Sequence, residues 1–97
     1  MAGRIIWTSR ATIELNEILL YWIERTKSKR FSRKLNRMFH EGAIYLSKNP
    51  ETGKPTDFPN IRLNIIKDYY LFYQIGEHDI RIITIWDSRR NPDKFRL

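Results

Sequence analysis

The apolar positions in the first third of the chain predict a strand followed by a helix. Ile5-Ile6-Trp7 is a short apolar run of the kind that forms strands. Thr8 or Ser9 can then cap a helix with its side-chain oxygen. Apolar residues follow on one helical face: Ala11, Leu15, Ile18 and Trp22. We expect the first helix to span about residues 9–26.

A second helical pattern follows after a short polar break at Thr26-Lys27-Ser28. Its apolar positions are Phe31, Leu35, Met38, Phe39 and Leu46. Asn49-Pro50 is a stop signal, so this helix should end near Lys48. The short connection predicts an antiparallel helical hairpin. Gly42 in its middle costs ~1 kcal/mol relative to Ala, and close packing against the first helix is one reason to keep it.

The remaining apolar positions predict three strands. Residues 61–66, 69–75 and 80–86 are rich in β-branched and aromatic residues and are separated by short polar breaks, as in an antiparallel meander. Residues 50–60 contain three Pro and one Gly and predict a loop. The whole chain, residues 1–97, is expected to be one α+β domain. In it, the hairpin covers one face of a largely antiparallel sheet, and the N-terminal strand joins the C-terminal meander.

Composition narrows the possible partners. The chain of 97 residues has no cysteine, which excludes disulfides and cysteine-based metal sites, and no run long enough to span a membrane. We expect a cytoplasmic protein without a cofactor. The formal net charge is +7, which favours anionic partners such as nucleic acid. Residues 1–49 hold ten Lys and Arg against four acids, and residues 50–97 hold eight against seven, so the surplus is N-terminal.

A basic run without acids opens the second predicted helix. Arg30, Arg33 and Arg37 share one helical stripe, which Lys34 flanks. The positive end of the helix dipole disfavours cations there. The stripe is either a solvated face or a contact surface for nucleic acid or an acidic partner.

Three basic residues around the meander form a candidate phosphate site. Arg62 starts the first strand of the meander, Arg89 follows its last strand, and Lys54 lies in the Pro-rich loop. We expect Arg62 and Arg89 to converge over the uncovered face, because paired guanidinium groups grip phosphate well. Surface pairing of Arg81 or Arg90 with Asp79 or Asp87 is the ordinary alternative for the other arginines.

Other chemistry has weaker support. The meander is rich in aromatic residues, of which some must form the core, while a tyrosine such as Tyr73 on the open face can stack on bases. His40 and His78 have no carboxylate at a suitable spacing, so histidine catalysis is not expected. We find no metal-ligand spacing and no nucleotide-binding motif.

The order of these patterns resembles the RelE/ParE superfamily of bacterial type II toxin–antitoxin toxins. The similarity begins with the strand and helix at residues 5–21 and continues through Leu46-x-x-x-Pro50-x-x-Gly53. Arg62 then precedes Tyr69-Tyr70 by seven residues, and Asp87-x-Arg89-x-Asn91-Pro92 ends the pattern. The resemblance implies a basic toxin neutralised by a cognate antitoxin. The stripe of Arg30, Arg33 and Arg37 is one surface to which that antitoxin could bind.

The superfamily divides by target, and both targets are open to this chain. RelE-like members cut mRNA in the ribosome. Carried across, Arg62 and Arg89 would stabilise charge on the scissile phosphate, and Lys54 would lie near the attacking hydroxyl. The stripe Arg30, Arg33, Arg37, together with Tyr73, Arg90 and Phe95, would then contact RNA.

One departure from the RelE pattern bears on catalysis. The position of a RelE tyrosine is here Phe95, which can stack on a base but cannot transfer a proton. ParE-like members instead bind DNA gyrase, and their last strand often ends in an Arg-rich segment such as Arg89-Arg90. The presence of Lys54, Arg62 and Arg89 favours the nuclease. A gyrase inhibitor and an inactive member that only binds its antitoxin remain the alternatives.

Overall fold

A computed structural model describes residues 3–90 of the chain. Its elements, in order, are β1 (Arg4–Trp7), α1 (Ser9–Thr26), α2 (Arg30–Lys48), β2 (Lys54–Pro55), β3 (Ile61–Ile66), β4 (Tyr69–Ile75) and β5 (Asp79–Asp87). The predicted α+β class, the helical hairpin and the three meander strands are confirmed. The two-residue strand β2 lies within the segment predicted as loop.

Thr8 fixes both the start of α1 and its position against the sheet. Its Oγ1 accepts a hydrogen bond from the N–H of Ala11 at 3.1 Å, which caps the helix. Its backbone N–H donates to the C=O of Ile82 at 3.1 Å. α1 ends at Thr26, and the C-cap residue that follows it, Lys27, adopts a left-handed conformation with φ 56°.

The five strands form one sheet in the order β1-β5-β4-β3-β2. β1 pairs with β5 in parallel, and every other pair is antiparallel. The first strand of the chain therefore lies beside the last described strand. A register shift between Phe72 and Tyr73 marks a β-bulge in the β4–β5 ladder.

Both helices pack on the same face of the sheet and enclose the core. Phe39, Leu35 and Leu46 of α2 are almost fully buried, as is Ala11 of α1. The sheet contributes a matching row: Ile66, Tyr69, Leu71, Tyr73, Ile80, Ile82 and Ile85. Trp22, half-buried on α1, donates from Nε1 to the Tyr69 hydroxyl at 2.8 Å and joins the helix to β4.

Gly42 permits close packing against the sheet, not against α1 as predicted. A methyl group at Gly42 would stand 2.9 Å from Cδ1 of Ile66 on β3. α2 therefore packs directly against β3 at this position. The prediction had the right physical reason but the wrong neighbour.

Candidate functional site

Arg62 binds backbone carbonyls at the start of β3. Its Nη1 donates to the C=O of Gly53 at 2.7 Å and to that of Glu51 at 3.3 Å. In the β3–β4 register it lies opposite Tyr73, whose ring belongs to the core beneath the helices. Residues directly opposite each other point to the same face of a sheet. Arg62 therefore lies on the helix-covered face.

Tyr73 holds the turn that Arg62 binds. Its side chain is fully buried, and its hydroxyl donates to the C=O of Pro50 at 2.7 Å while accepting from the N–H of Gly53 at 2.9 Å. Burial raises the pKa of the Tyr73 hydroxyl above its ordinary value. The prediction that Tyr73 contacts RNA from the open face is wrong, because the ring has no exposed surface.

Lys54 lies at the same end of the sheet as Arg62 but on its other face. β2 places Lys54 opposite Leu63 and Pro55 opposite Arg62, and neighbouring residues of a strand point to opposite faces. The Lys54 side chain is exposed. A cavity of ≈ 410 Å³ borders Arg62, and proline, phenylalanine and isoleucine side chains make up much of its wall.

Arg89, which follows the end of β5, forms a bidentate ion pair with Asp87. Its Nε and Nη2 donate to the two carboxylate oxygens of Asp87 at 2.9 and 2.8 Å, and its guanidinium carbon lies 5.9 Å from the Trp22 ring centroid. Hydrogen bonding to Arg89 lowers the pKa of Asp87, and the same carboxylate raises the pKa of Arg89. Asp87 thus pairs with Arg89, not with Arg90 or Arg81. Arg90 instead lies 5.4 Å from the Trp86 ring centroid.

The structure places Arg62 and Arg89 at opposite ends of the sheet. Arg62 is level with Tyr73, whereas Asp87 is level with Tyr69 and, through it, with Ile66 at the far end of β3. Four residues of a strand separate these levels, a distance of about 13 Å, and Arg89 lies further out still. The predicted convergence of the two guanidinium groups over the uncovered face is therefore wrong.

A groove between α1 and β5 was not anticipated from the sequence. It has a volume of ≈ 640 Å³, and its lining combines acids, apolar side chains and two arginines: Glu14, Glu17, Ile18, Tyr21, Tyr69, Ile85, Asp87, Arg89 and Arg90. One sequence signal was available, because residues 14, 17, 18 and 21 recur at helical spacing beside the core face of α1.

Glu14 connects this groove to the edge of β5. β1 ends at Trp7 opposite Ile82, so it leaves the later part of β5 without a strand on that side. There Oε1 of Glu14 accepts from the N–H of Ile85 at 3.0 Å and from the buried Thr84 hydroxyl at 2.7 Å. The carboxylate thus replaces a neighbouring strand as the acceptor for this edge.

The basic stripe of α2 is exposed to solvent. Arg30, Arg33 and Arg37 line an open groove of ≈ 560 Å³ together with Ser28, Lys29 and Lys34. The structure brings these residues together, and their contact with nucleic acid stays a prediction.

The remaining residues singled out from the sequence are the two histidines and Phe95. His40 lies 5.1 Å from the Trp7 ring, between centroids, and His78 lies in an exposed turn. Phe95 lies outside the described residues. Within residues 3–90 no cluster of His, Asp and Glu has the arrangement of a metal site, and no helix is both long and apolar enough to cross a membrane.

Comparison with known proteins identifies the family. No curated protein sequence matches this chain significantly. A solved structure of the chromosomal ParDE toxin–antitoxin system from P. aeruginosa is similar in fold, with a TM-score of 0.76 at 18% identity, covering 89% of this chain and 96% of that chain. The model of the ParE toxin of the type II toxin–antitoxin system parDE matches residues 5–92. The chain therefore belongs to the ParE family of toxins.

Proposed function

We propose that this toxin acts in the cytoplasm by binding and inhibiting DNA gyrase, and that a cognate antitoxin neutralises it. Membership of a toxin–antitoxin family implies the antitoxin partner. The gyrase target is the mode of action that the ParE resemblance implies. It requires a binding surface and no catalytic group.

The observation that carries this choice is the separation of Arg62 from Arg89. An mRNA endonuclease of the RelE type needs its cations around one phosphate. Here Arg62 binds the carbonyls of Glu51 and Gly53, and Arg89 is held by both oxygens of Asp87. Neither guanidinium group is directed at a shared site, so binding fits the arrangement better than catalysis.

The contact with gyrase is proposed for the Arg89-Arg90 end of the groove between α1 and β5. Both arginine side chains are exposed there, beside the apolar side chains of Ile18 and Tyr21. Arginine and tyrosine are enriched at energetically important interface positions. Within residues 3–90 Arg90 makes no salt bridge, and its guanidinium group lies against the Trp86 ring in an exposed position where a partner can reach it.

A supercoiling assay with purified gyrase tests this proposal. The toxin is expected to inhibit supercoiling and to accumulate cleaved DNA, and Arg90→Ala is expected to weaken inhibition by about ten- to hundredfold, as for an interface hot spot. Arg81→Ala is the matched control, because Arg81 is exposed on β5 at the other end of the sheet. Full supercoiling activity in the presence of excess toxin would overturn the proposal.

A ribosome-dependent mRNA endonuclease is the second candidate. One observation favours it: Lys54 and Arg62 occupy neighbouring strands at the same end of the sheet, although on opposite faces. Primer extension on an mRNA translated with the toxin would then show new 5′ ends inside codons, and Arg62→Ala would remove them. If expression without the antitoxin leaves growth, supercoiling and message unaffected, the chain is an inactive member that binds its antitoxin.

A further inference from the structure

The outward face of α2 carries a groove in which every charged side chain from the described part of the chain is a cation. Five of its six lining residues are basic: Lys29, Arg30, Arg33, Lys34 and Arg37. All five side chains are exposed, and none forms an ion pair with a residue in the described range 3–90. The basic groove shares no lining residue with the groove between α1 and β5 or with the cavity beside Arg62.

The position of these cations lowers the stability of the helix that carries them. α2 begins at Arg30, has no acidic residue in its first turn and has no side-chain hydrogen bond at its N-cap. Cations near the positive end of the helix dipole, and like charges three or four residues apart, both destabilise a helix. One contact partly offsets this cost, because Oγ of Ser28 accepts a hydrogen bond from the N–H of Arg30 at 3.1 Å, but none of the five cations has an acidic partner within residues 3–90. A local conflict of this kind is typical of a functional surface.

We propose that the basic groove binds the phosphate backbone of duplex DNA. Guanidinium groups fit phosphate oxygens in pairs, and the groove offers three of them on one helical stripe. Seven positions of helix separate Arg30 from Arg37, about 10 Å, which is the axial length of three steps of a duplex at about 3.4 Å each, so the three guanidinium groups can reach different phosphates of one strand.

The composition of the groove selects among anionic partners. Among residues 3–90, its lining includes no aromatic and no apolar residue. Single-stranded nucleic acid is usually bound by stacking bases on aromatic rings, and peptide interfaces depend on apolar or aromatic anchors. A duplex backbone needs only charge and hydrogen-bond donors. The choice of DNA over duplex RNA rests on the proposed gyrase function, since the bound partner of gyrase is duplex DNA.

Binding of a short labelled duplex of mixed sequence, followed by fluorescence anisotropy without gyrase, tests the groove itself. Five phosphate contacts predict that log K falls against log salt with a slope of about −4.5 between about 50 and 200 mM. The variant Arg30→Gln/Arg33→Gln/Arg37→Gln should flatten the slope by about 2.7 and weaken binding about five-hundredfold near 0.1 M salt.

A variant of equal charge separates the groove from general basicity. Arg4→Gln/Lys67→Asn/Arg81→Gln also lowers the formal charge by three, from +7 to +4, at exposed positions outside the groove. It should keep the parent slope within about one unit. The groove variant should melt no lower than the parent, because it removes repulsion, and a folded variant that loses DNA supports the proposal.

Three outcomes would overturn it. In the first, the groove variant binds DNA as well as the parent does. In the second, the parent binds a single strand or duplex RNA more tightly than duplex DNA. In the third, an acidic peptide binds more tightly than DNA and displaces it. Because this assay contains no gyrase, its result is independent of the supercoiling assay. Inhibition of gyrase by the groove variant would leave the proposed function intact while removing DNA contact from its mechanism.

Discussion

Tyr73 shows how one hydroxyl group fixes a loop. The sequence around it is a run of aromatic residues in which any ring can face either side of the sheet. In the fold its hydroxyl joins the C=O of Pro50 to the N–H of Gly53, and a methyl group at Gly53 would stand 2.6 Å from that oxygen. The turn carrying the carbonyls that bind Arg62 therefore depends on a buried tyrosine and an adjacent glycine.

Tyr73→Phe is expected to destabilise the protein by about 1–3 kcal/mol, because the Gly53 N–H and the Pro50 C=O lose their buried partner. Denaturant unfolding measures the loss, and hydrogen exchange should show faster exchange of the Gly53 amide. Tyr45→Phe is the control, since Tyr45 is 56% exposed. Equal stability of the two variants would contradict the role assigned to the buried hydroxyl.

The Asp87–Arg89 pair predicts a dependence of stability on acid pH. The pKa of Asp87 is lowered in the folded state, chiefly by its hydrogen bond from Arg89, from an ordinary value of 3.8. A lowered pKa stabilises the fold above that ordinary value, and the stabilisation is lost as pH falls through the folded-state pKa.

Asp87→Asn should therefore be less stable than the parent near neutral pH, and the difference should shrink below about pH 4. Urea unfolding across an acid pH series measures it. Asp57→Asn, at an exposed loop position, should show no such narrowing. A difference between Asp87→Asn and the parent that is constant down to pH 2 would show that the pair contributes nothing through protonation.

At the level of elements, α1 completes the sheet as well as covering it. Beyond the end of β1, the edge of β5 is exposed to pairing with another strand, which is a recognised hazard of open edges. Glu14 supplies an acceptor from the helix to Ile85 and Thr84 on that edge. Glu14 lies beside the apolar stripe of α1 in the sequence, and its carboxylate is nevertheless part of the helix–sheet contact.

Glu14→Ala should cost about 1–3 kcal/mol of unfolding free energy, because it leaves the Ile85 N–H and the Thr84 hydroxyl unpaired in a partly buried place. Glu14→Gln keeps a carbonyl acceptor and should retain most of the stability. Glu17→Ala, one turn further along the same helix and exposed, is the control. Thermal or denaturant unfolding of the three variants decides between an edge contact and a surface charge.

The contact between α2 and β3 predicts coupling between Gly42 and Ile66. Gly→Ala in a helix normally gains about 1 kcal/mol, but the added methyl group would meet Cδ1 of Ile66 at 2.9 Å. Gly42→Ala should therefore gain less than this in the parent and nearly all of it in the Ile66→Val background, which lacks that atom. A double-mutant cycle on unfolding free energies measures the coupling, and a value of zero would contradict the close approach.

For the whole molecule, local pattern predicted the elements but not their neighbours. Helical and strand periods are properties of adjacent residues, so α1, α2 and the meander could be read from the chain. The pairing of β1 with β5 joins residues more than seventy positions apart, and its direction leaves no local signal. The predicted convergence of Arg62 and Arg89 was wrong for the same reason. The end of the sheet at which each arginine lies depends on the register of three strands, which has no local signal.

That separation predicts independent effects of the two arginines. Changes more than about 7–10 Å apart with no shared partner usually add within about 0.5 kcal/mol. The unfolding free energies of Arg62→Ala, Arg89→Ala and the double variant should therefore be additive. A coupling of more than about 1 kcal/mol between the two substitutions would instead indicate that both arginines contribute to one anion pocket. That result would support the nuclease mechanism.

The parallel pairing of β1 with β5 also determines when the sheet can be completed during synthesis of the chain. Within the described residues β1 has a single neighbour, and that neighbour begins at Asp79. The nascent chain must hold β1 unpaired until the segment Asp79–Ile82 of β5 has been polymerised. Up to that point in translation the helices can form but the sheet lacks one edge, so the complete fold is reached only after the ribosome has added β5.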